Sequence, residues 1–264
     1  MIELLRGVWR FRGFIAASVK REFVTRYQGT QLGALWPLAH PLALIAIYTL
    51  VFGEVMRSRL PGHESGFAYS IYLTAGLVAW TLFSDLLLRS VGIFVHNAEL
   101  LKKVSVHKLA LPAIAFISVM INAGLLLACF LAFLVLSGNL PGWPLLAAIP
   151  VLALTGFFAM ALGLFLATIN VFYRDVEQTV SIVLQFWFWM TPVVYPLATL
   201  PPTFQKVLAW NPIWPLVHAM QQVFLENRWP DWVSLAYPAL LGVLLALLAR
   251  ATFGRLADEL VDEL

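Results

Sequence analysis

The sequence predicts an all-α integral membrane protein with six transmembrane helices. Of its 264 residues, 61% are hydrophobic and 12% are charged, whereas soluble domains average about 45–50% apolar and about 25% charged residues. Long charge-free stretches recur along the chain, and about 20 apolar residues suffice to cross a membrane. A disordered chain and a disulfide-stabilised secreted domain are both excluded, because the composition is apolar and Cys129 is the single cysteine.

Six stretches without Asp, Glu, Lys or Arg predict the spans. They are residues 27–53, 65–84, 110–136, 145–171, 178–205 and 232–249. The third and fourth are separated at residues 137–144, where Gly, Asn and Pro predict a turn. Residues 207–225 are also uncharged, but Asn211, Pro212 and Pro215 interrupt them. Because proline breaks a helix, we expect short helices here that enter the membrane without crossing it.

The distribution of Lys and Arg predicts the orientation of the spans. Thirteen of these cations lie in the N-terminal segment, the second-to-third and fourth-to-fifth connections and the C-terminal tail, against four in the remaining connections. Cytoplasmic loops carry the excess of Lys and Arg in membrane proteins. Both termini are therefore predicted to be cytoplasmic.

Residues 1–28 predict an amphipathic helix at the cytoplasmic membrane surface, and the remaining residues, 29–264, predict a single six-span domain. Leu4, Val8, Phe11, Ile15 and Val19 share one helix face. Two interpretations of this helix remain open. It is an anchor alone, or its cations also contact anionic lipid headgroups or substrate phosphates. The cations concerned are Arg10, Lys20, Arg21 and Arg26.

Several kinds of chemistry have no support in the sequence. There is no G-x-x-x-x-G-K-[ST] motif for ATP, and the five histidines do not have the spacing of metal ligands. Asp85 and Arg89, four residues apart in the second span, are expected to pair with each other. Spans three, four and six have no carboxylate at their centre, which disfavours a proton-coupled carrier. Ala159, Gly163 and Ala167 have the small-residue spacing of close helix packing.

The second-to-third connection, residues 96–108, mixes apolar residues with charges and predicts a short amphipathic helix. It is either an interfacial loop or a docking helix for a soluble partner.

Aromatic side chains are concentrated in the first, second and fifth spans. One explanation is a belt at the level of the lipid headgroups. The other is a conduit lining, because aromatic faces stack on the apolar faces of sugar rings. The candidate lining residues are Trp36, Trp80, Phe83, Trp187, Trp189 and Tyr195.

Several segments together resemble the membrane subunits of ABC-2-type polysaccharide exporters, the permeases for O-antigen, capsule and teichoic acid. They are RYQGTQLGALWP at 26–37, AYSIYLTAG at 68–76, NVFYRDV at 170–176, FWMTPVVY at 188–195, LPP at 200–202 and NP at 211–212. The likeness extends over nearly the whole chain, in order and with the same number of spans.

The resemblance implies a homodimer in the bacterial inner membrane, with two copies of a separate ATPase subunit. ATP and Mg²⁺ would bind to that subunit, so this chain would hold no cofactor and would not be an enzyme. Residues 96–108 would be the coupling helix, and residues 200–225 would be gate helices at the periplasmic exit. The coupling contacts would come from Glu99, Leu100, Leu101, Lys102, Lys103 and Val104.

The resemblance implies a lipid-linked polysaccharide as the substrate. Periplasmic and outer-membrane export proteins are further partners that it allows, whereas no feature indicates nucleic acid. The main alternative is an integral membrane enzyme that modifies lipid-linked glycans, for which Asp85, Arg89, Arg174, Asp175 and Glu177 are the candidate residues.

Overall fold

A computed structural model describes residues 11–27, 35–51, 67–99 and 110–256, and within these ranges every regular element is helical. The ten α-helices are α1 (Arg12–Tyr27), α2 (Trp36–Tyr48), α3 (Ala68–Val91), α4 (Ile93–His96), α5 (Ala110–Leu136), α6 (Ala148–Phe172), α7 (Asp175–Met190), α8 (Pro202–Leu208), α9 (Trp214–Phe224) and α10 (Trp232–Leu256). A 3₁₀ helix at Trp143–Ala147 leads directly into α6.

In the described part of the chain, four helical segments are long and apolar enough to cross a membrane: α3, α5, Trp143–Phe172 and Trp232–Gly254. They coincide with the second, third, fourth and sixth predicted stretches. The break between the third and fourth is confirmed, because α5 ends at Leu136 and a turn follows it. Gly138 has a φ of 71° in that turn, a backbone conformation that glycine adopts without strain.

The first and fifth predicted stretches form shorter helices. The apolar helix in the first covers Leu38–Val51. In the fifth, α7 has 16 residues and ends at Met190, before the end of the charge-free stretch. Thr191 is extended (φ −105°, ψ 128°) because the ring of Pro192 disfavours a helical conformation in the residue before it. The count of six spans therefore stays a prediction.

Helix α3 lies at the centre of the bundle. It packs against α5, α6, α7 and α9, while α10 packs on α6. The contact between α3 and α6 is unusually close, because a Cβ atom added to Gly163 would lie 2.4 Å from the Cβ of Ser90. Ala159 and Ala167 are also fully buried. Close packing by the small residues of this helix is confirmed.

Hydrogen bonds assign the loops to the two ends of the bundle. At one end, Asn170 Nδ2 donates to the Val91 carbonyl (3.2 Å), and the Glu177 N–H donates to Asn170 Oδ1 (3.1 Å). At the other end, the Gly142 N–H donates to Asn227 Oδ1 (2.8 Å). The second-to-third and fourth-to-fifth connections thus lie at the same end. The charge distribution predicts that this end is cytoplasmic, and we refer to the two ends as inner and outer.

Reporter fusions test this orientation. Fusions at Asn139 and Asn227 are expected to report an external location, and a fusion at Arg174 an internal one, because positive charge is retained on the cytoplasmic side. If Asn139 and Asn227 reported opposite sides, the pairing of their loops would be wrong. If all three signals were inverted, the predicted orientation would be wrong.

Candidate functional site

A cavity of about 870 Å³ lies at the inner end, between α1, α3, α5 and the beginning of α7. Its volume falls within the range of about 300–1,000 Å³ that is usual for ligand sites. The ionisable side chains that line it are Arg21, Glu22, Asp85, Arg89, His96 and Glu177. The polar neutral ones are Ser18, Thr25, Asn97 and Asn122. The cavity is therefore mixed in charge.

Glu22 joins three helices at the wall of this cavity. The two terminal nitrogens of Arg89 each donate to a carboxylate oxygen of Glu22, and Ser118 Oγ donates to Glu22 Oε2 (2.9 Å). The Arg89 and Glu22 side chains are 28% and 26% exposed. The predicted pairing of Arg89 with Asp85 is wrong. The Arg89 guanidinium instead forms a bidentate ion pair with the Glu22 carboxylate on α1, a geometry that both groups favour. This contact fixes α1 against α3 and α5.

A second polar contact joins α4 to α7. His96 Nε2 lies 3.3 Å from Glu177 Oε2. Gly92 lies in contact with both side chains. A Cβ atom at Gly92 would come within 2.6–2.8 Å of His96 and Glu177. The predicted coupling helix, residues 96–108, begins at this pair. Glu99 is exposed. Leu100, Leu101, Lys102, Lys103 and Val104 lie outside the described residues.

The structure also describes most of the predicted interface helix. Within α1, Ile15 and Val19 are buried against Ala110 of α5. Lys20 and Arg21 are exposed, and Arg21 also lines the cavity. Arg10 and the side chain of Arg26 lie outside the described part.

A smaller cavity of about 230 Å³ continues from the first between α2, α3 and α5. The two share Asp85, Val119 and Asn122, and we refer to them together as the inner groove. Trp36, His40 and Thr81 add further polar or aromatic groups to the smaller cavity. Its other walls are apolar and consist of Pro41, Leu44, Leu82, Ala123 and Leu126.

Two polar side chains of the inner groove lie on membrane helices that carry few other polar groups. They are Asn122 on α5 and His40 on α2, and both helices are otherwise strongly apolar. Polar side chains within membrane helices usually face a bundle interior or a water-filled cavity and mark a substrate or ion pathway. This pair is therefore a candidate for ligand contact.

The predicted aromatic lining divides into buried and exposed residues. Phe83 is completely buried and Trp80 is 6% exposed in the single chain. Both residues lie on the central helix α3, which other helices surround. The ring centroids of Phe83 and Trp187 are 5.4 Å apart. Trp36 and Trp189 are 45% and 64% exposed. Trp187 and Tyr195 are half-buried.

Hydrogen bonds at the outer end hold the segment that follows α7. Tyr72 Oη donates to the carbonyls of Pro192 (3.0 Å) and Tyr195 (2.9 Å). Gln221 Nε2 also donates to the Pro192 carbonyl (3.1 Å), and Tyr69 donates to the Val194 carbonyl. Residues 191–195 are thereby fixed to α3 and α9.

The predicted gate region, residues 200–225, contains the short helices α8 and α9, and its role as a gate stays a prediction. Asn211, between them, accepts from Trp187 Nε1 (2.9 Å) and donates to Thr191 Oγ1 (3.0 Å). The end of α7 and the turn between α8 and α9 therefore form one hydrogen-bonded unit. Their depth in a membrane stays a prediction.

Sequence reasoning missed Glu22, His40 and Asn122 of the inner groove, and also Ser118, which donates to Glu22. A usable signal was present for two of them. His40 and Asn122 are isolated hydrogen-bonding side chains within apolar helices. For Glu22 and Ser118, the partner Arg89 is distant in the chain, and no local spacing indicates it.

The apolar helices, the short helices at the outer end and the polar groove at the inner end define a polytopic membrane protein of the transporter class. The pattern of the ABC-2 type transporter family matches residues 14–225, and the chain belongs to this family.

Several named proteins that resemble this chain support the same family. The chain is 31% identical over its full length to the whole of the "O-antigen export system permease protein RfbA" of Myxococcus xanthus. It is 27% identical to a protein of the same name from Klebsiella pneumoniae, over 92% of this chain and 91% of that one. The "Polysialic acid transport protein KpsM" of Escherichia coli is 22% identical over 86% of each chain.

Proposed function

We propose that this chain is the permease subunit of an ATP-driven exporter that moves a lipid-linked cell-surface polysaccharide across the bacterial inner membrane. The cargo is O-antigen or capsular polysaccharide. The observation that carries the proposal is the full-length similarity to an O-antigen export permease, which leaves no region of either chain unmatched. The polar groove and the short outer helices also suit a pathway for a polar chain.

The energy for export is proposed to come from a separate ATPase. This sequence has no phosphate-binding loop, so ATP and Mg²⁺ would bind to two copies of a partner subunit, attached to a homodimer of this chain. Residues 96–108 would receive the ATPase motion. The contact between His96 and Glu177 would transmit this motion to α7. The ion pair between Glu22 and Arg89 would transmit it to α1. Residues 1–28 would lie beside the ATPase on the cytoplasmic surface.

Co-purification with the ATPase tests this arrangement. The wild-type permease is expected to retain the ATPase and to stimulate its activity. Replacement of both Leu100 and Leu101 by Asp is expected to abolish retention, because an unpaired charge in an apolar contact costs several kcal/mol. The permease should still insert and dimerise. Normal stimulation by the double variant would contradict the docking assignment.

The conduit is proposed to use the exposed aromatic side chains. Trp36, Trp189 and Tyr195 are accessible in the single chain. Stacking on sugar faces is worth about 1 kcal/mol per contact and tolerates shifts along the chain, so it allows a glycan to slide. Residues 200–225 would form the gate at the periplasmic side.

Trp189→Ala tests the aromatic conduit. Glycan export is expected to fall about fivefold, the equivalent of about 1 kcal/mol of stacking, while dimer yield and thermal stability stay near wild type. Trp143→Ala is the matched control, because Trp143 is 81% exposed at the outer end, away from α7. A parallel loss of stability and export in Trp189→Ala would instead identify a lipid-facing belt.

A further inference from the structure

We infer that the seam between α2 and α3 opens during the transport cycle, and that hydroxyl groups now buried in it then exchange hydrogen bonds with the sugar hydroxyls of the glycan. The seam is defined by Thr49, which follows the last residue of α2, and by Ser70 and Thr74 near the outer end of α3. The inference rests on the proposed function. It adds to that function a further part of the glycan pathway, with α2 as the helix that moves.

The hydroxyl groups of the seam are buried without a partner. The hydroxyl oxygens of all three residues are inaccessible to water and make no hydrogen bond within the part of the chain that the structure describes. Ser70 and Thr74 are 0% and 2% exposed. Thr81 on the same helix differs, because its hydroxyl donates to the Leu77 carbonyl (2.8 Å). Since a buried hydroxyl without a partner is destabilising, the seam is explained if its hydroxyls meet a partner in another conformation.

The buried hydroxyls continue the face of α3 that lines the inner groove. Four polar residues occupy positions i, i+4, i+11 and i+15 of this helix: Ser70, Thr74, Thr81 and Asp85. At 3.6 residues per turn these positions lie within about 60° of one another. Thr81 and Asp85 line the smaller cavity, whereas Ser70 and Thr74 lie farther out and are buried. The polar face is therefore open at the inner end and closed at the outer end.

Helix α2 packs against α3 and supplies the other side of the seam. His40 of α2 and Thr81 of α3 line the same small cavity. Thr49 follows His40 by nine residues, and Thr74 precedes Thr81 by seven. Because consecutive spans run in opposite directions with the same rise per residue, we expect Thr49 and Thr74 to lie at a similar depth.

Helix α2 also has the features of a helix that can tilt. In the single chain it packs on α3 and α5, while Leu42, Ile47 and Leu50 on its other sides are exposed. Pro41 lies within the helix and lines the smaller cavity. Because proline has no N–H, the carbonyl four residues earlier receives no helical hydrogen bond and the helix is weakened there. The part of α2 beyond Pro41 can therefore move away from α3 and expose the seam.

Cysteine labelling in glycan-exporting cells tests whether the seam opens. Thr74→Cys and the control Thr155→Cys are each made in a Cys129→Ala chain and treated with a small membrane-impermeant maleimide. Thr155 is matched to Thr74, because it is also buried and lies near the outer end of its helix, α6, but its hydroxyl donates to the Val151 carbonyl (2.8 Å). Since labelling of a buried site requires local opening, we expect Thr74→Cys to react at least about tenfold faster than Thr155→Cys. Equal rates, or no labelling of either, would overturn the proposal. Ser70→Cys is compared in the same way if Thr74→Cys does not accumulate.

Pro41→Ala tests the assignment of α2 as the moving helix. Alanine restores the missing N–H and stiffens the helix, so we expect labelling of Thr74→Cys to fall about fivefold with an unchanged or higher Tm. Pro238→Ala is the control, because Pro238 is also buried within a helix, α10, which packs on α6. Labelling should be unchanged in this control. Equal labelling in both proline variants would overturn the assignment of α2.

Thr74→Val tests the contact with sugar separately from access to water. Valine has a similar shape but no hydroxyl, so we expect glycan export to slow about fivefold, the equivalent of one hydrogen bond of about 1 kcal/mol. Tm should be unchanged or higher, because the hydroxyl that is removed has no partner in the closed seam. Thr155→Val is the control and should export normally. Normal export by Thr74→Val, or a fall in Tm that parallels the fall in export, would overturn the contact with the glycan.

The outcome for the proposed function is read separately in a strain that lacks this chain. If surface glycan persists in that strain, the proposed function fails, and the seam proposal fails with it. If surface glycan is lost but Thr74→Cys reacts no faster than Thr155→Cys in exporting cells, only the seam proposal fails.

Discussion

Replacement of Gly163 by leucine is expected to prevent the permease from accumulating in the membrane. A Cβ atom at this position would lie 2.4 Å from the Ser90 Cβ and 3.2 Å from the Leu87 carbonyl oxygen. The second contact is backbone of the central helix, which cannot move aside as a side chain can. Overpacking a core costs about 1–3 kcal/mol for small additions, and a whole isobutyl group against backbone exceeds that range. Membrane yield and Tm in detergent measure the effect.

Gly124→Leu is the matched control for this prediction. Gly124 also lies within a long apolar helix, α5, but a Cβ atom there would meet no other atom within 4 Å. The variant should therefore accumulate normally. Equal yields of the Gly163 and Gly124 variants would contradict the close approach of α3 and α6.

Glu22→Ala is expected to have the second-largest effect, because it removes the contact that holds α1 against the bundle. The substitution leaves the Arg89 guanidinium without its two-pronged partner and Ser118 without its acceptor. Hydrogen bonds to charged groups contribute about 1.5–3 kcal/mol. The pair is about one-quarter exposed, so the lower half of this range applies. We expect a lower Tm, faster proteolysis within α1 and loss of ATPase-coupled export.

Two further variants isolate the ion pair as the cause. Thr25→Ala alters the same helix but removes only bonds to the carbonyls of Arg21 and Glu22, and it should behave as wild type. The exchange variant, Glu22→Arg with Arg89→Glu, should restore part of the stability. If Glu22→Ala and Thr25→Ala behaved alike, α1 would be held by Ile15 and Val19 rather than by Glu22.

The spans that the sequence predicted best are those whose evidence is local. Composition alone identifies α3, α5, α6 and α10, since each is a long apolar run between turn residues or charges. The turn after Leu136 follows from its Gly and Pro residues. The packing role of Gly163 follows from the spacing of small side chains.

The features that the sequence did not indicate depend on contacts between distant parts of the chain. Arg89 is four residues from Asp85, but its partner Glu22 lies 67 residues away on another helix. Trp80 and Phe83 have the composition of a lining, yet the central position of α3 buries them. A local pattern indicates which residues are aromatic or charged, but only the arrangement of helices determines what they face.

In the inner groove, too, local sequence patterns indicate some features, whereas others depend on how the helices pack. His40 and Asn122 could be recognised as exceptions within apolar helices, but their convergence on one cavity depends on how α2 and α5 pack beside α3. The family and its polysaccharide substrate could be anticipated from the resemblance of short segments, because those segments extend over nearly the entire chain.

The central claim is that this chain exports a finished glycan rather than modifying it. Deletion of its gene in a strain that makes the glycan, followed by separate measurement of surface and intracellular glycan, tests this claim most directly. We expect surface glycan to disappear and full-length glycan to accumulate on its lipid carrier inside the cell, with both reversed by the wild-type chain. Normal amounts of surface glycan with an altered chemical structure would contradict the account and identify a modifying enzyme.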